Sequence, residues 1–183
     1  MSWNHPELMF ALALGLAAAA FDLRTREIPN RLTLSVLVVA PLWHLTQGLL
    51  AHGPWVGLKS LGLSFLGILV CGVFPALSFA RREMGGGDVK LFAALGALCG
   101  PRLGFDAQAF TFLLTLSIVL PWRLWQHRLF FTALRNVWLR VKNPLVVEAS
   151  RSKITPFALP PVALAPWIFV GLTLAMWRNG VFV

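Results

Sequence analysis

The sequence predicts an all-α polytopic membrane protein of about six transmembrane helices, and three observations carry that prediction. Of 183 residues, 57% are hydrophobic and 13% charged, with a mean hydropathy of +0.73; soluble domains average about a quarter charged. Several apolar runs approach or exceed the roughly 18–20 residues that cross a bilayer. The basic residues behind the net charge of +9 fall in short segments between those runs, where topology signals lie. That placement argues against a nucleic-acid surface and for a lipid bilayer as the main partner. A second, soluble domain has no room, so residues 1–183 read as one membrane-embedded domain.

The first run, residues 5–21, ends in four alanines. A signal peptide carries basic residues before its apolar run, whereas the first here, Arg24, comes after it. We read a retained helix with its N-terminus outside. A compact polar loop follows, Asp22-Leu23-Arg24-Thr25-Arg26-Glu27-Ile28-Pro29-Asn30-Arg31. Pro29 disfavours helix at Ile28, and Asn30 is the residue type that caps a following helix. Helix two is expected over 32–51, and His52-Gly53-Pro54 turns the chain. Helix three, over 55–80, contains Pro75 and should kink there. Helix four, over 89–100, has too few residues before Pro101 to cross alone. Helix five is expected over 107–125. In the stretch after it, Phe130, Leu134, Val137 and Val141 make one apolar face, opposite Arg128, Arg135 and Lys142. That pattern suits a basic amphipathic cytoplasmic helix, either lying on the membrane surface or solvated and packed on the protein itself. Helix six, over 154–177, begins irregularly because of Pro156, Pro160 and Pro161.

With the N-terminus outside and six crossings, the C-terminus is also outside. Thirteen basic residues then face the cytoplasm, against Lys59, Arg102 and Arg178 on the other side. The positive-inside rule favours that orientation strongly. Trp3, Trp55, Trp122 and Trp177 fall near helix ends, as interfacial aromatics do.

This topology puts Asp22 and Asp88 at the same, cytoplasmic end of the bundle. An acid at a membrane helix end is costly unless used or paired. Glu7 and Asp106 fall on the far side, while Glu27, Glu83 and Glu148 lie in loops among basic residues, where solvated ion pairing accounts for them. Two converging carboxylates are what aspartic peptide hydrolysis requires: one, ionised, takes a proton from water, and the other, protonated, donates to the carbonyl. Neighbouring carboxylates supply that split. Asp88 directly follows Gly85-Gly86-Gly87, backbone without side-chain bulk, on which an extended substrate could lie closely. His5, His44, His52, His127, Cys71 and Cys99 show no ligand spacing, so neither a metal site nor a cofactor is expected. Lys90 reads as a cytoplasmic anchor that snorkels, or as a residue tuning the pair.

These residues carry a resemblance. Asp22 to Asn30 resembles the D-x-x-x-x-x-I-P-N loop of bacterial prepilin peptidases, and Gly85-Gly86-Gly87-Asp88-Val89-Lys90-Leu91 resembles their G-x-G-D-V-K-L motif. The Pro-rich segment Lys153-Ile154-Thr155-Pro156-Phe157-Ala158 resembles the family's cytoplasmic lead-in to its last helix. A GxGD alone also marks presenilin-like and signal-peptide-peptidase-like enzymes; joined to the Ile-Pro-Asn loop it is far more specific. The resemblance implies an inner-membrane, multi-pass aspartic endopeptidase without cofactor, which cuts the basic leader of type IV prepilins or pseudopilins after a glycine at the cytoplasmic face. Its catalytic pair falls on Asp22 and Asp88, with Gly85, Gly86, Gly87, Ile28, Pro29, Asn30 and Lys90 as the loop and substrate-access residues. No CxxC pair stands between the first helices, so the chain resembles the short class of tight-adherence (Flp-type) pilus systems or archaeal preflagellin processing, and methyltransferase activity is not implied.

A rival from another class is a small proton- or cation-coupled transporter subunit using Asp22 and Asp88. That function calls for acids near the bilayer midplane, and leaves the glycine run and the Ile-Pro-Asn loop without a purpose. A third reading, a non-catalytic assembly protein, makes the paired acids incidental. Within the pair, helix ends bias the roles without fixing them: Asp88 opens a helix and Asp22 closes one, which favours Asp88 as the base and Asp22 as the proton donor, a bias that Arg24 and Arg26 would reverse by folding back onto Asp22.

Overall fold

The computed structural model describes residues 6–82, 84–126 and 163–181, and among them every regular element is a helix. In chain order these are α1 (Pro6–Thr25), α2 (Asn30–His52), α3 (Pro54–Ala80), α4 (Gly86–Leu114), a π-helical turn (Thr115–Val119), α5 (Leu120–Gln126) and α6 (Ala165–Arg178). Four stretches are long and apolar enough to cross a membrane: Pro6–Thr25, Asn30–Ala51, Pro54–Ala80 and Gly86–Trp122. Large apolar side chains such as Val38, Leu66 and Leu69 point outward from them. Residues 1–112 and 163–183 cluster as one compact unit. Residues 113–162 form another, described as far as Gln126 by the π-turn and α5.

The last of the four stretches is not one straight rod. Gly100 adopts φ 74 and ψ 175, inside α4, a conformation open to glycine because it has no Cβ. Beyond it the chain folds back: Gly104 lies against Gly96, and Phe112 stacks on Phe92 with ring centroids 5.7 Å apart. Residues 86–99 and 101–112 are therefore antiparallel arms. The reversal strips two carbonyls of their helical partners. Ala97 O would bond residue 101, a proline with no N–H, and Leu98 O would bond residue 102 across the break. The Ser64 hydroxyl donates to Ala97 O at 2.8 Å, and His44 Nε2 lies 3.0 Å from Leu98 O. Such groups need an internal partner where water is excluded.

The first arm of α4 is the centre of the bundle. Leu91 to Leu98 are all buried, as a helix apolar on every side must be. Small residues let its neighbours close in: a Cβ on Gly67 of α3 would lie 2.0 Å from Gly96 O, and one on Gly96 2.3 Å from Gly67 O. Backbone contact of this kind supplies the packing that the hydrophobic effect does not supply in lipid. On α1, Ala11, Leu14, Gly15, Ala18, Ala19 and Asp22 form the buried stripe. Gly15 meets Phe169 and Leu172, so α6 lies alongside α1, and Gly171 of α6 meets Thr111 and Ala107.

Several expectations are revised. α3 is one helix through Pro75. α2 begins two residues earlier, at Asn30, and its N-cap is Pro29 with no side-chain cap bond, so Asn30 is not the cap. α4 begins at Gly86, three residues ahead of the expected start. The last helix begins at Ala165, after residues 163 and 164 that are not helical, because a proline in its first turn fixes its start there. The expected amphipathic stretch around Phe130 to Lys142, the Pro-rich segment from Lys153, Glu83, Glu148 and Trp3 lie outside the described residues.

Candidate active site

Two helix exits shape the site. After α1, Arg26 takes φ 58 and donates its N–H to Asp22 O at 3.1 Å; after α3, Arg82 takes φ 61 and donates to Phe79 O at 2.8 Å. A left-handed residue just past a helix is a chain-reversing stop, and here neither is glycine. From Arg26 the chain runs through non-helical residues 27–29 into α2, with Pro29 at φ −59 and ψ 126. From Arg82 it passes Met84 and Gly85 into α4.

Those two loops meet. Gly87 packs against Ile28, where an added Cβ would come within 3.2 Å of Ile28 Cβ. Lys90 Nζ donates to Asn30 Oδ1 at 2.8 Å. Gly86 faces the Phe79 ring, and a Cβ on Gly85 would stand 3.3 Å from Asp88 Oδ2. The residues of the two sequence motifs, 60 apart in the chain, therefore touch one another.

Asp88 is the third residue of α4 and accepts from the backbone N–H of Gly85, the arrangement by which an N3 carboxylate satisfies a helix start. Asp22 is the last member of the α1 stripe and is 7% exposed. Its Oδ2 accepts the N–H of Ala165 at 3.1 Å, the first residue of α6. Asp22 and Asp88 thus stand near the ends of α1 and α4 that the two touching loops adjoin. The arrangement brings the elements that carry the two acids together at a glycine backbone.

The other acids are placed elsewhere. Glu27 is exposed in the first loop. Asp106 pairs with Arg178 and accepts from Asn179 Nδ2 at 3.1 Å, at the end of α6 opposite Ala165. Glu7 lines a cavity of about 710 Å³ with His44, Cys99, Arg102 and Asn179. Neither Asp22 nor Asp88 lines that cavity, so the candidate site rests on the converging loops and not on the concavity. Ala165 was missed from sequence. Pro166, just inside the start of α6, was the available signal for that helix start.

The profile of the type IV leader peptidase family matches residues 9–134, a stretch that contains both loops and both aspartates. No curated protein and no solved structure matches the chain.

Proposed function

Because the chain belongs to the type IV leader peptidase family, and is therefore a protease, we propose that Asp22 and Asp88 are its catalytic pair and that it cuts prepilins or pseudopilins after a glycine at the cytoplasmic face of the inner membrane. The observation that carries the reading is the meeting of the Ile-Pro-Asn loop, which follows Asp22, with the glycine loop, which leads into Asp88. One carboxylate, ionised, removes a proton from water as its oxygen attacks the scissile carbonyl carbon. The other donates its proton to the carbonyl oxygen. Collapse of the tetrahedral species expels the amine, which takes up a proton, and the pair returns to one shared proton. Both acids come from the protein, so the chemistry calls on no cofactor.

Substrate geometry supports the same reading. A helical segment hides its peptide bonds in its own hydrogen-bond ladder, so cleavage needs an extended stretch. Gly85, Gly86 and Gly87 offer close backbone approach to such a stretch. We place six crossings, both termini outside, and this end of the bundle at the cytoplasm, supported by the distribution of basic residues. The transporter alternative is not favoured: Asp22 and Asp88 stand within a turn of helix ends, and two matched loops surround them.

The test is cleavage of a substrate with a basic leader, a glycine and an apolar helix, in membranes containing each variant. Asp22→Asn and Asp88→Asn should each lower cleavage at least a hundredfold, the scale of lost acid–base catalysis, with membrane insertion unchanged. Glu27→Gln should retain most activity, and EDTA should leave cleavage intact. Full activity in either Asn variant removes that residue from the pair.

A further inference from the structure

The hydrogen bond between Lys90 and Asn30 joins the two motifs directly. Lys90 stands two residues after Asp88, at the start of the second turn of α4, and Asn30 opens α2 eight residues after Asp22. At 2.8 Å, with the ammonium donating to the side-chain amide oxygen, the contact is a good charge-assisted bond. Beside it, Ile28 fills the space over Gly87, which a Cβ would narrow to 3.2 Å. Polar and apolar contacts thus fasten the same two loops over the span of a few residues.

We propose that Lys90 and Asn30 are positioning residues, a latch that holds the Ile-Pro-Asn loop on the glycine loop and so fixes how Asp22 and Asp88 face each other. The argument is geometric. Asp22 rides on α1 and Asp88 on α4, so their spacing depends on whatever joins the loop leaving α1 to the start of α4. A shared proton tolerates little error: supporting residues must hold such a constellation within about 0.5 Å. Lys90 Nζ is held by Asn30, which gives it a role beyond simple anchoring. Asn30, freed from capping α2, has its oxygen available for that bond. The proposal rests on the reading of Asp22 and Asp88 as the catalytic pair.

Its test is a double-mutant cycle on purified full-length enzyme with the leader substrate above. Lys90→Met and Asn30→Ala should each lower kcat by roughly tenfold or more, the scale of a sub-ångström misplacement, with KM within about twofold. The double variant should be no slower than the slower single one, since both break one bond. Asn30→Asp keeps the acceptor, and Lys90→Arg keeps a donor; each should recover most of kcat. Additive losses, or losses confined to KM, overturn the latch, the second outcome making these residues substrate contacts. A second measurement works without turnover. In a chain with Cys71 and Cys99 replaced by alanine, Asn30→Cys with Lys90→Cys should be joined by a short bis-maleimide. Cross-linking without any wild-type cleavage overturns the peptidase reading and the positioning role with it. Wild-type cleavage without cross-linking overturns the latch alone.

Discussion

Asp22 shows how far a single residue can be read. Its place after an apolar run marks it as an acid at a membrane helix end, and that alone makes it a candidate. The helix-end argument for its role does not survive. It treats Asp22 as facing only the C-terminus of α1, whereas its carboxylate accepts from the N-terminus of α6. Asp88 also sits at a helix N-terminus, so helix ends no longer separate the two, and base and acid are to be assigned by carboxyl-resolved infrared titration of the pair. The Ala165 N–H is testable in its own right. Ala165→Pro deletes that donor, and losing a buried hydrogen bond costs about 1–3 kcal/mol, roughly five- to hundredfold if expressed in rate. We expect kcat to fall on that scale while Ala165→Gly, which keeps the amide, stays near wild type. Equal rates in both variants would remove the N–H from the site.

At the scale of elements, glycines and broken carbonyls decide the packing. Gly87→Val should slow cleavage severely, because its side chain must displace Ile28 as well as crowd an extended substrate. The two causes separate in one assay: Ile28→Ala makes room, so partial rescue of Gly87→Val marks loop packing, and no rescue marks substrate approach. The turn at Gly100 makes a different prediction. Ser64→Ala leaves Ala97 O without the donor that replaces the missing N–H of Pro101. An unsatisfied buried carbonyl costs about 1–3 kcal/mol, so the variant should unfold at lower denaturant or temperature, read by intrinsic tryptophan fluorescence in micelles. Ser64→Thr keeps the hydroxyl and serves as the control. An unchanged midpoint in Ser64→Ala would show that the carbonyl finds another donor.

For the whole molecule, the open matter is which face each loop occupies. Reporter fusions at residues 52–53 and after Arg178 should read external, and a fusion within residues 122–143 cytoplasmic, as the thirteen-to-three split of basic residues requires. A cytoplasmic C-terminus would change the number of crossings. The two-armed form of α4 makes the count informative, since its first arm, about 14 residues or roughly 21 Å, is shorter than the ~30 Å hydrocarbon core. Ser64 and His44, bonded to Ala97 O and Leu98 O, are the means by which the chain turns without leaving those carbonyls unpartnered.

The sequence by itself determined the all-helical membrane class, the loop positions and the residues of both motifs. The reason is local: a chain in lipid must satisfy its own backbone, so long apolar runs become helices, and Pro, Gly and charge mark where they stop. The interruption at Gly100-Pro101 was legible for the same reason. Tertiary structure decided the rest. The burial of the first arm of α4 on every side leaves no periodicity to read, since all its faces are apolar. The approach of Gly67 to Gly96, the seat of Asp22 on Ala165, and the bond from Lys90 to Asn30 each join residues far apart in the chain. Contacts of that kind follow from how helices pack, which composition and spacing along one chain do not encode.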